Sequence, residues 1–99
     1  MAFGISRTEM NDWKRKVALG EIAFLTHYWI DERFPGITTV TKAGCSNITR
    51  LREWCFSNGL NPRHIHHRTD FPHFDLIGDK QKEILEKEQL WEQIARFRL

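Results

Sequence analysis

No stretch of this chain is apolar for long enough to cross a membrane. Its longest hydrophobic runs, around IAFL and YWI, are interrupted by Thr26 and His27. The opening MAFGISRTEM lacks the basic-then-apolar order of a secretory signal, so a cytoplasmic location and no membrane partner are the expectation. Cysteine is scarce: Cys45 and Cys55 form no CxxC pair. Cys55, between Trp54 and Phe56, reads as a small buried hydrophobe, and the expected compartment argues against a disulfide. The chain has no HExxH, no Walker A loop, no zinc-finger spacing and no nucleophile elbow. Internal repeats and low-complexity segments are missing too. Neither sign of charge dominates, and a formal net charge of +2 permits a polyanionic partner without demanding one.

What is there is enough for one modest hydrophobic core. The 99 residues are 40% hydrophobic and 28% charged, an ordinary globular mixture, so a single domain over 1–99 is expected. Four Trp and seven Phe supply aromatic anchors.

Ser6-Arg7-Thr8-Glu9 has the spacing of a capping box, and Ile5 and Met10 are placed for a hydrophobic staple. Met10, Trp13 and Val17 then share a helical face, which predicts a helix over 7–19 ended by Gly20. EIAFLTHYWI is apolar in both alternate rows, so a central strand covered on both faces is expected there. In that strand His27 reads as a hydrogen-bonded core histidine. Phe34-Pro35-Gly36 signals a turn, and Ile37 to Lys42 a short, exposed or edge strand. Ser46 or Asn47 caps a second helix that turns Ile48, Leu51, Trp54 and Cys55 inward and ends at Gly59. Gly78-Asp79 opens a long helix to the C-terminus with Ile84, Leu90, Trp91, Ile94, Ala95 and Phe97 on its apolar side. The expected fold class is therefore α+β in the order α-β-β-α-β-β-α. Helices pack on a small mixed or antiparallel sheet with a C-terminal hairpin.

The hairpin holds the densest chemistry. HIHHRTDFPHFD, residues 64–75, carries four of the five histidines. Read as two strands joined by Thr69-Asp70-Phe71-Pro72, its best register sets Arg68 opposite His73, His66 opposite Asp75 and Ile65 opposite Leu76. Ile65, His67, Phe74 and Leu76 then face the core, while His64, His66, Arg68, His73 and Asp75 share the other side. Slipping the pairing by one residue mixes polar and apolar on both faces, so burial selects the first register.

Three chemistries suit such a face. His64, His66, His73 and Asp75 are residue types that ligate a divalent metal, with His27 or Asp31 available to complete the set. Arg68 with protonatable histidines, helped by Lys42, holds a phosphate. A histidine oriented by Asp75 serves as general acid–base on a phosphodiester. Against all three stands the plain reading of a wet hairpin face, where such residues are ordinary. The hydroxyl-rich Thr38, Thr39, Thr41 and Lys42, with Ser46 and Asn47 ahead of the second helix, form a weaker anion candidate. Asp12, Lys14, Arg15 and Lys16 read as the solvated face of the first helix.

Thr41-Lys42-x-Gly44-Cys45, Trp54, Gly59-Leu60 and Ile65-His66 through Pro72-His73-Phe74-Asp75 resemble a family of small uncharacterised cytosolic proteins of Gram-positive bacteria. The resemblance covers most of the chain and implies no activity, cofactor or catalytic residue. Residue chemistry thus favours a nucleic-acid or phosphate-ligand binding module. The alternatives are a metal-dependent phosphodiesterase or nuclease, and a protein-interaction domain, for instance a homodimer formed through the last helix.

Overall fold

A computed structural model describes residues 4–67 and 71–99. The first helix, α1 (Arg7–Ala18), begins as its sequence dictates. Ser6 accepts from the Glu9 amide and Glu9 reaches back to the Ser6 amide, while Ile5 and Met10 pack beside the core. Two strands follow, β1 (Ala23–Tyr28) and β2 (Thr39–Gly44), then α2 (Ile48–Ser57), capped by Asn47 rather than Ser46. After a 3-10 turn at Pro62–His64 come β3 (His73–Leu76), α3 (Gly78–Lys87) and α4 (Trp91–Phe97). The α+β class holds, with the order α-β-β-α-β-α-α among the described residues.

The sheet is antiparallel in the order β1-β2-β3. Centre and edge are therefore exchanged relative to expectation: the apolar β1 lies at the edge and the threonine-rich β2 in the middle. Helices make both placements workable. β1 is covered by α1 on one face and α4 on the other, so most of both its rows is buried although, among the described residues, one edge has no neighbouring strand. β2 satisfies its hydroxyls internally. Thr39 donates to Gln81 at 3.1 Å, Gln81 donates to Thr41 at 2.9 Å, and the Thr41 and Thr26 hydroxyls lie 2.7 Å apart. Thr26 in turn donates to Gln93 at 2.6 Å. This chain of bonds ties β1 and β2 to α3 and α4, and it leaves no hydroxyl in it unpaired.

The registers pair Leu25 with Lys42 and Lys42 with Asp75. One face of the sheet thus carries Ala23, Leu25 and His27, then Val40, Lys42 and Gly44, then His73 and Asp75. The other carries Phe24, Thr26, Thr39, Thr41, Ala43, Phe74 and Leu76. That second face, with Cys45, Leu51, Cys55, Ile65 and Ile84, forms the main core beneath α2, α3 and α4. Both cysteines are buried free thiols.

The first face is covered by α1 at one end. Trp13 and Val17 of α1 sit directly on Gly44, where an added Cβ would lie 2.5 Å from Trp13 Cζ2 and 2.8 Å from Val17 Cγ2. Beyond that end the face carries buried His27 and Val40 and half-buried Lys42, His73 and Asp75.

Two expectations need correction. HIHHR is not a strand. Asn61 accepts from the Arg63 amide and, with Pro62, starts the 3-10 turn that takes up His64, so that His66 alone bridges to His73. The C-terminal helix is not continuous either. Gln89 adopts a left-handed conformation with φ 59°, and the chain restarts at Leu90.

Candidate functional site

The observed pairing of His66 with His73 differs by two residues from the expected register, in which Arg68 stood there. Side chains alternate with a period of two, so this shift preserves the faces. His66, His73 and Asp75 do meet. His66 Nε2 lies 3.1 Å from Asp75 Oδ2, His73 Nε2 lies 3.6 Å from Asp75 Oδ1, and the two imidazoles stack at 5.1 Å. Ile65, Phe74 and Leu76 are buried on the opposite side. His67, expected to face the core, is exposed. Arg68 lies outside the described residues.

These groups line a cleft of about 470 Å³ between that sheet face and α1. β1 contributes His27, β2 Val40 and Lys42, and β3 His73 and Asp75. Met10, Trp13 and Lys14 form the α1 wall, with Trp29, His66 and Phe71 around the rim. His64 lines an adjoining cleft of about 630 Å³ with Asp31, Arg33 and Arg63, and that space shares His66 and Asp75 with the first. Asp31 is held by Arg33, whose hydrogen bonds lower its pKa to about 2. Among the described residues no three His, Cys, Asp or Glu side chains are grouped closely enough to hold a metal ion.

Two histidines have their tautomers fixed by the backbone. His27 Nδ1 lies 2.8 Å from the Tyr28 carbonyl oxygen, and His73 Nδ1 lies 2.9 Å from that of Phe71. A carbonyl only accepts, so each Nδ1 carries the hydrogen and each neutral ring presents a bare Nε2 lone pair. Burial pushes both pKa values below the usual histidine value, and Lys42 adds to the effect. His27 is 97% buried by area, being 3% exposed, and its Nε2 has no hydrogen-bond partner. The core-histidine reading of His27 is therefore correct for one ring nitrogen, while the ring as a whole lines the cleft.

The remaining candidates separate. Thr39 and Thr41 point away from the cleft toward Gln81. Asn47 accepts from the Arg50 amide and Ser46 donates to the Ala18 carbonyl, so the start of α2 is occupied by its own caps. Lys42 alone of that segment reaches the site. Lys14, read as a solvated helix residue, lies over the Phe71 ring at 5.3 Å. Strand alternation already set His27 and Trp29 in one row. Only the placement of α1 across the sheet shows that this end of the row borders a cleft.

No helix among the described residues is long and apolar enough to cross a membrane. No family model matches the chain, and no solved structure matches it. A curated relative, the uncharacterized protein YneQ of Bacillus subtilis (strain 168), is 56% identical over 99 residues, spanning 100% of both chains. The resemblance to uncharacterised proteins of Gram-positive bacteria is thereby borne out, and this chain belongs to the family of YneQ.

Proposed function

We propose that the cleft binds a nucleotide unit, either free or within a single strand, with phosphate at Lys42 and Lys14 and the base against the aromatic rim. The observation that carries this reading is the composition of one cavity: two lysines, His66 and the rings of Trp13, Trp29 and Phe71 line the same space. Ammonium groups attract the phosphate, and His66 adds positive charge when protonated. Aromatic faces stack on any base, each contact contributing about 1–3 kcal/mol. Asp75 Oδ2 lies 3.1 Å from His66 Nε2, so one carboxylate oxygen is engaged within the protein.

Titration of tryptophan fluorescence with nucleoside monophosphates, inorganic phosphate and a short single strand tests this directly. Nucleotide is expected to bind more tightly than phosphate, with affinity falling as salt rises. Lys42→Ala should weaken binding by roughly tenfold or more, the effect of one charge-assisted contact. If neither nucleotide nor strand binds, or if Lys42→Ala leaves affinity unchanged, the reading fails.

A further inference from the structure

We propose that the ligand is a single strand of nucleic acid running through two adjoining clefts, with Arg63 and Phe34 forming a second nucleotide subsite. This rests on the nucleotide-binding reading and narrows it from a free nucleotide to a strand.

The first cleft does not end at its own rim. Trp29, Val40, His66 and Asp75 line both it and the second cleft, so the two spaces meet along a shared wall. The first opens between the sheet and α1. The second opens between the loop that joins β1 to β2 and the 3-10 turn at Pro62–His64. At about 470 and 630 Å³, each has the size of a pocket for one small ligand. A free mononucleotide fills one of them, and a strand fills both.

The second cleft repeats the chemistry of the first, a cation beside an aromatic ring. Phe34 supplies the ring, which is 38% exposed and lies 5.8 Å from that of Trp29. Trp29 borders both clefts and Phe34 only the second, so neighbouring bases meet neighbouring rings. Arg63 supplies the charge. It is exposed, and among the described residues only its backbone N–H is engaged, by the Asn61 side chain at 3.0 Å. Its guanidinium offers a planar fork to a phosphate, and His64 beside it adds charge when protonated. Arg33 is paired with Asp31, so that pair contributes little net charge to the cleft.

Both walls are held before a ligand arrives. The Phe34 amide donates to the Asp31 carbonyl at 3.0 Å and the Ile37 amide to the Phe34 carbonyl at 3.1 Å, which closes the loop on itself. Asn61 and the buried Pro62 fix the turn that presents Arg63 and His64. Walls ordered in advance reduce what binding must spend on ordering them. The cations stand at opposite ends, Lys14 and Lys42 in the first cleft and Arg63 in the second, with Asp75 on the wall between. A carboxylate in that position disfavours phosphate at the middle and favours one phosphate toward each end.

The experiment follows tryptophan fluorescence as the protein is titrated with 5′-phosphorylated mono-, di- and tetrathymidylate. The dinucleotide is expected to bind roughly tenfold or more tighter than the mononucleotide, the gain from one further stacked base. Arg63→Ala should remove most of that gain and leave mononucleotide affinity unchanged. It should also lower the salt slope of tetranucleotide binding by about 0.7, the value of one phosphate contact on a single strand. Phe34→Ala should likewise weaken the longer ligands alone, whereas Lys42→Ala weakens every length. Arg63 is exposed, so its variant keeps the fold, and an unchanged melting temperature verifies this. Longer ligands that bind no tighter than the mononucleotide would overturn the two-cleft proposal and leave the binding reading standing. An Arg63→Ala variant that binds all lengths as the parent does, or loses all of them equally, would overturn it too. Failure of every length to bind would overturn the binding reading itself.

Discussion

Among individual residues, Gln81 shows what hydrophobic periodicity overlooks. It is 2% exposed, in a helix whose apolar side is read from Ile84 onward. Its position one turn before Ile84 and Leu85 is the only sequence signal of burial. Its amide bridges Thr39 and Thr41, so replacing it by leucine keeps approximate volume and strands the Thr39 hydroxyl. Gln81→Leu should destabilise the fold by about 1–3 kcal/mol, the cost of a buried unsatisfied group. A urea midpoint shift at unchanged slope would register it. His27 is the complementary case. Its row and burial are legible from alternation, but its ring nitrogens are assigned only by the Tyr28 carbonyl. Lys42 and Asp75, expected in the site from residue type, do lie on one sheet face.

The elements were legible where local chemistry agreed with tertiary packing. The capping box, the staple and the glycine stop define α1 almost to the residue. The shared face of His66, His73 and Asp75 survived an incorrect hairpin register, because a shift of two residues moves no side chain to the other face, whereas His67, beyond the bridge at His66, is exposed rather than in the core. The sequence reading failed where a local competitor prevailed. Asn61-Pro62 imposed a turn on a segment whose alternation reads as a strand, and the exchange of edge for centre depended on glutamines from distant helices. The split C-terminal helix is a third instance, since its continuous apolar stripe contains no glycine or proline to mark a stop. The break instead falls at Gln89, held at a φ of 59° that L-residues with side chains adopt at a cost. Beyond it Trp91, expected on the apolar side, is exposed. Gln89→Gly should therefore stabilise the protein by up to about 1 kcal/mol, because glycine takes that conformation freely. Thermal melting should show a rise of a few degrees. A fall would mean that unfolded-chain entropy outweighs the relieved strain.

The whole molecule couples its site to its stability through protonation. His27 and His73 both titrate below the ordinary value of 6.5 in the folded state, chiefly because burial disfavours the imidazolium. The unfolded chain therefore binds more protons than the native state once pH drops below 6.5, and stability must fall with it. Above 6.5 both states are neutral at these positions and the effect vanishes. Glu9 acts in a separate, lower window. The Arg96 hydrogen bonds that join the start of α1 to α4 lower its pKa from 4.5 to about 2. Its contribution is present above pH 4.5 and disappears as pH falls from there toward 2, reduced by solvent screening of this partly exposed pair. Unfolding free energy measured in urea across pH should thus be level from 8 to about 7 as far as these groups are concerned, decline below about 6.5, and decline further below about 4.5. His27→Phe should shrink the first decline without touching the second, and Glu9→Gln the reverse. A ligand phosphate near these rings would favour their protonated forms and oppose the first decline. Repeating the His27 and wild-type series with saturating nucleotide measures that coupling in the fold itself. An upper step unchanged by nucleotide would mean that the phosphate does not sit near His27 or His73.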